Sequence, residues 1–192
     1  TPEPLTQDVS FVFHIEKTAD VVVDSLTAEI SGIPSTMELT TGLILAQKTY
    51  KLLFRPTYAA LPSAADSASA EALRCEASVN IPGIVRSHTE DMVTGPGILQ
   101  IAIYTHYDYE EEGTQRKAAK VFHAGINLYH TLKERKSLQW DEEENGYRQA
   151  SRSITVEIGS PLNIDKDGIL NGGSTSTGLD QWIPGETFEI EV

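Results

Sequence analysis

The residues best spaced for chemistry are Asn163, Asp165 and Asp167, in the run Asn163-Ile164-Asp165-Lys166-Asp167-Gly168. Oxygen ligands at the first, third and fifth positions with a glycine at the sixth open a calcium loop of the EF-hand type, in which hard oxygen donors surround a hard cation. The position where a bidentate glutamate should close the shell is Ser174, and no helix is predicted on either side. Asp, Asn and Gly also build plain turns by bonding their own backbone. The segment is therefore expected to be an acidic turn between strands, with bound calcium as the sharper alternative; no other cofactor is indicated.

Aromatic side chains are the second group. Trp140, Tyr147 and Trp182, with Tyr104, Tyr107 and Tyr109, offer flat apolar faces, and rings on the rim loops of a β-sandwich can stack against sugars. Packing in a core or rim is the more frequent fate of such rings. The histidines His14, His88, His106, His123 and His130 are scattered and lack the close pair or Cys/His spacing that zinc requires. Only across adjacent strands can His106 and His123 converge. His14 is expected at the surface.

Catalytic patterns are missing. There is no Gly-x-Ser-x-Gly elbow and no glycine-rich phosphate loop. Cys75 lies in Leu73-Arg74-Cys75-Glu76-Ala77-Ser78-Val79, where every second residue is apolar, so it is expected in a core as a small hydrophobe rather than as a nucleophile. Glu110-Glu111-Glu112 and Asp141-Glu142-Glu143-Glu144 supply the carboxylates that glycosidases use, but runs of like charge are usually solvated, and both are expected in loops. The chain is read as non-enzymatic.

The elements that must position these residues are strands. Phe11, Phe13 and Ile15 alternate with Val12, His14 and Glu16, and Leu26, Ala28 and Ile30 alternate with Thr27, Glu29 and Ser31, the period of half-buried strands. The second strand is predicted to close at Ser31-Gly32-Ile33-Pro34-Ser35, with Met37-Glu38-Leu39 resuming the alternation. Tyr50 to Arg55 reads as a strand stopped by Pro56. Residues 59–71, rich in Ala and Ser, read as a solvated loop.

After the Cys75 strand and its Ile81-Pro82-Gly83 stop, Leu99, Ile101 and Ile103 mark the strongest strand. Ala118 to Leu128 gives another, Tyr129 to Arg135 suits one helical turn, Ile154, Val156 and Ile158 mark a further strand, and Phe188 to Val192 the last. About eight short strands with no βαβ rhythm predict an all-β fold, a sandwich of two antiparallel sheets occupying 1–192 as a single domain.

Composition narrows the partners. With 28 acidic and 15 basic residues in 192 the net charge is −13, which repels nucleic acid and anionic lipid. One cysteine excludes a disulfide scaffold. No apolar run approaches the roughly 18 residues of a membrane helix. The opening Thr1-Pro2-Glu3-Pro4 has neither an initiator methionine nor a signal-peptide pattern, as expected of a processed or excised chain.

Three segments together resemble the fimbrillin-like surface proteins of the Bacteroides group. Ser25 to Gly42 is similar to their strand, Ser-Gly, short strand and glycine pattern; Val121 to Leu132 falls where they carry an aromatic strand, with Asn127-Leu128-Tyr129-His130 in place of the usual acidic turn; Gly172-Gly173 through Trp182 to Val192 is similar to their ending. The resemblance implies a transthyretin-like Greek-key sandwich, the C-terminal domain of a longer exported precursor, lipid-anchored upstream of Thr1 and displayed on the outer membrane or in a fimbrium. It also implies a structural or adhesive subunit whose partners are other fimbrial subunits or copies of itself, joined by β-strand complementation, with a host or bacterial surface ligand. The strands that could exchange are Gln7 to Glu16 and Glu186 to Val192, each expected as an ordinary edge strand at rest. The alternative is a surface lipoprotein that binds carbohydrate through its rim loops.

Overall fold

The computed structural model describes residues 5–61, 70–85, 97–135, 137–170 and 182–191. Alternation sets the layers. In β1 (Gln7–Thr18) the side chains of Val9, Phe11, Phe13 and Ile15 are fully buried, and in β2 (Val21–Met37) those of Leu26, Ala28 and Ile30 follow the same rule. The chain continues through β3 (Ile44–Phe54), β4 (Thr57–Ala60), β5 (Ala70–Ile81), β6 (Ile98–Glu111) and β7 (Thr114–Asn127). A seven-residue helix, α1 (Tyr129–Arg135), precedes β8 (Leu138–Asp141), β9 (Gly146–Gln149), β10 (Ser153–Glu157), β11 (Leu162–Ile164) and β12 (Ile183–Glu191).

The strands form two sheets. One has the order β10-β1-β5-β4, with β11 also on β1; the other runs β12-β7-β6-β2-β3-β9-β8. Phe11, Phe13, Leu73 and Cys75 from the first sheet meet Ile30, Leu99, Ile101 and Phe122 from the second in one continuous core. This is an all-β sandwich. Tyr58 on β4 joins the layers by donating its hydroxyl to the Val23 carbonyl of β2 at 2.8 Å. The β6–β7 hairpin turns on Glu112 and Gly113, with φ of 51° and 77°, the left-handed pair that a type I′ turn requires.

Four local expectations change. β2 does not close at Gly32 and Pro34 but runs on to Met37, because bulges between Ile30 and Ile33 and between Pro34 and Thr36 absorb the glycine (φ 85°) and the proline's missing donor. The predicted loop 59–71 has strand at both ends, in β4 and β5, and its middle lies outside the described residues. Glu110 and Glu111 belong to β6 rather than to a loop, though both remain exposed. The sheets are antiparallel except at β1, which pairs parallel to β10 and to β11.

β1 is also not an edge. It holds twelve aligned residues of β5 on one side and β10 and β11 on the other. At its start the fully buried Gln7 donates to the carbonyls of Ser151 (2.8 Å) and Ser137 (3.2 Å), while the Ser137 hydroxyl donates to Gln7 Oε1 at 3.3 Å. That network satisfies polar groups that would be costly to bury unpaired, and it fastens β1 to the segments after α1 and β9.

Candidate functional site

β12 is one of the two edges of the seven-stranded sheet, β8 being the other, and among the described residues it pairs only with β7. Its register sets Phe188 opposite Val121, which itself lies opposite Tyr104 of β6. Since Phe122, Ala124 and Ile126 of β7 enter the core, the row of Tyr104, Val121 and Phe188 lies on the outer face. Phe188 is 51% exposed there and Tyr104 38%.

The register of β12 shifts between Pro184 and Thr187. Gly185 packs so closely on β7 at this bulge that a Cβ on it would stand 2.9 Å from the Cβ of His123. The Glu186 carbonyl is 3.0 Å from His123 Nδ1; a carbonyl only accepts, so Nδ1 is the donor in this bond. His123 meets the Phe188 ring edge-on with centroids 5.5 Å apart. Together Gln100, His123, Gly125, Gly185, Glu186 and Phe188 line a cleft of about 270 Å³ on the outer face.

At the inner side of the same edge, Lys120 reaches Glu189 at 2.9 Å, donates to the Lys166 carbonyl at 2.7 Å and lies 5.3 Å over the Tyr107 ring. Burial pulls its pKa down, but the hydrogen bond to Glu189 and the charges of Tyr107 and Glu189 outweigh that, and the pKa is held above its ordinary value. Lys120 is thus a protonated tie between β7, β12 and the turn after β11, not a nucleophile.

Asn163 lies in β11 itself, paired with Glu16 of β1, and only Asp165 and Asp167 lie in the turn. Asp165 Oδ1 accepts the backbone N–H groups of Asp167 (2.7 Å) and Gly168 (2.8 Å), and Leu170 N–H returns to the Asn163 carbonyl at 2.8 Å. One carboxylate oxygen of Asp165 is thereby committed to shaping the turn, and Lys166 Nζ lies 3.7 Å from Asp167. Ser174 lies outside the described residues. Among the described residues no group of three or more His, Cys, Asp or Glu side chains is arranged to hold a metal ion.

The three aromatics proposed as a platform separate. Trp140 on β8 is 47% exposed and meets Tyr147 of β9 edge-on at 5.0 Å. Trp182 is only 1% exposed, with its Nε1 donating to the Ser160 carbonyl at 2.9 Å and its ring 5.8 Å from Phe13. It belongs to the core, because a tryptophan buries a large apolar area once its single donor is satisfied. Tyr107 and Tyr109 tilt together at 6.2 Å on β6. Beneath Trp140, Asp141 accepts from Arg148 Nε at 2.7 Å and from the N–H groups of Glu143 and Glu144, and these donors hold its carboxyl below the usual range.

His106 and His123 do not converge. His106 bonds Asp24 at 2.8 Å, whereas His123 serves the bulge. His14 is half-buried, and His88 and the side chain of His130 lie outside the described residues. Cys75 is fully buried opposite Phe13, and desolvation pushes its thiol up to about 12.

Residue-by-residue reading of the sequence missed Gly125, Gly185 and Phe188 as site residues. One signal was present: Gly125 interrupts the strand Val121-Phe122-His123-Ala124-Gly125-Ile126, and a glycine inside a strand often marks a close approach. Comparison of the chain with models of known families, with curated proteins and with solved structures returns no match.

Proposed function

We propose that this chain is a non-enzymatic, cell-surface structural or adhesive subunit of the fimbrillin-like kind, exported and assembled by β-strand complementation. The observation that carries the reading is β12, a nine-residue strand with one ladder partner among the described residues. Such an edge offers unpaired N–H and C=O groups to an extended segment, whose main-chain bonds supply affinity.

Charge sets a preference for the incoming strand. Glu186, Glu189 and Glu191 make β12 acidic, and like charges set opposite each other disfavour pairing. An extended segment with lysine or arginine facing those positions is the better complement.

Immunogold labelling of this domain on intact source cells tests the reading. Gold strung along filaments or at their tips is the expected result. Diffuse gold over the cell surface overturns assembly and leaves a monomeric surface protein, and absence of surface label overturns the localisation as well.

A further inference from the structure

We propose that the outer-face cleft beside the β12 bulge is a saccharide-binding subsite that seats one neutral pyranose ring. The inference goes beyond assembly by β12 and does not depend on it.

The first support is Gly125, at the floor. Its backbone is not among the positive-φ positions, and a Cβ there would meet only Gln100 Cγ at 3.7 Å and the Leu99 carbonyl at 3.9 Å, both ordinary contacts. Neither conformation nor packing demands glycine, and strands disfavour it. What the missing side chain does is keep the floor of the cleft open.

The second support is the chemistry of the walls. Phe188 presents a half-exposed ring, and Gln100, Glu186 and His123, the last edge-on to that ring, add polar groups to the lining. His123 Nδ1 donates to the Glu186 carbonyl, which sets the orientation of the ring in the cleft. A wholly apolar ligand would strip water from these groups without replacing the lost hydrogen bonds. A pyranose carries an apolar C–H face for the aromatic ring and a rim of hydroxyls for the polar groups. Among the described residues no lysine or arginine lines the cleft, and Glu186 and the overall charge of −13 disfavour an anionic sugar.

The test uses the full 192-residue chain and millimolar methyl glycosides of mannose, galactose and N-acetylglucosamine as probes, read by saturation transfer and by amide shifts in two-dimensional NMR. At least one glycoside should receive saturation and shift the amides of Gly125 and Gly185. Gly125→Leu, which fills the floor, and Phe188→Ala should each weaken that binding by about tenfold or more, while Trp140→Ala should leave it unchanged. An amide spectrum preserved away from the cleft establishes that each variant is folded, and Gly125→Ala provides a milder version of the same block. The proposal is overturned if none of the glycosides shifts the cleft amides. It is equally overturned if the shifts centre on Trp140 and Tyr147 and vanish in Trp140→Ala, or if a basic extended peptide occupies the cleft and the glycosides do not. Filament labelling of cells reports on β12 assembly alone, so the two readings fail separately.

Discussion

Along β1, Val9, Phe11, Phe13 and Ile15 are sealed between the layers and the backbone is bonded on both sides; along β12, the backbone bonds one neighbour and Phe188 stands half in solvent. Both segments are short alternating strands, and both are equally plausible as exchangeable elements by pattern. The difference teaches that a strand's freedom to exchange is set by its place in the ladder order. Removing β1 would open the core and break the Gln7 network, whereas β12 is held, among the described residues, by a single ladder with β7. The acidic residues of β12 fit the same account, since charge on an exposed edge restrains indiscriminate pairing.

The sharpest way to break this contrast is to truncate one large apolar residue on each strand. Phe13→Ala should cost about 3–5 kcal/mol, the range for deleting a buried aromatic ring, measured by urea unfolding. Comparable losses at Phe188→Ala would contradict the edge assignment; there the expected cost is below about 1 kcal/mol.

Next in size is the fastening of β1. Gln7→Ala removes the partners of two carbonyls and of the Ser137 hydroxyl, and leaving buried polar groups unpaired should cost about 1–3 kcal/mol. If the unfolding midpoint does not move, the network holds nothing in place.

Cys75 gives a kinetic version of the comparison. Its thiol, buried opposite Phe13 and raised to about 12, should not react with a disulfide reagent at neutral pH until the β1–β5 pairing opens, because the thiolate is the reactive form. Labelling should speed up in Phe13→Ala and stay at the wild-type rate in Phe188→Ala. Fast labelling of the native wild-type chain would place the β1 region among the readily opened parts of the fold.

The smallest effect concerns the β8–β9 hairpin, at the opposite edge of the seven-stranded sheet from β12. Asp141 has a folded-state pKa below its ordinary 3.8, so the folded form binds the proton less readily than the unfolded one. Its contribution to stability is therefore present above the unfolded value and is lost as pH falls through the lowered folded value. Arg148→Ala should move the Asp141 titration, followed by carboxyl NMR shifts, back toward 3.8. It should leave β1 and β12 unaffected, since among the described residues Arg148 otherwise bonds the Thr41 carbonyl.

Much of the layer structure was legible because burial repeats every second residue. Phe11, Phe13, Leu26, Ile30, Leu99, Ile101 and Cys75 all lie inside as their alternation predicts, and Tyr129–Arg135 forms the expected helix. The end of β2 was not legible, because a bulge lets glycine and proline sit within a strand. The candidate site was less legible still. His123 and Gly125 lie far along the chain from Gly185 and Phe188, and the two pairs meet only through the β7–β12 register.

By itself the sequence determined that this chain forms strands, which side of most of them is apolar, and that its net charge is −13; these follow from local geometry and composition. Only the tertiary structure decided that β1 lies inside its sheet and β12 at an edge, that Trp182 is buried while Trp140 is exposed, and that a bulge opens a cleft over Gly125. The physical reason is that period-two alternation specifies a face but not a neighbour. Which strands pair depends on contacts between distant segments, summed against the entropy of closing the chain between them.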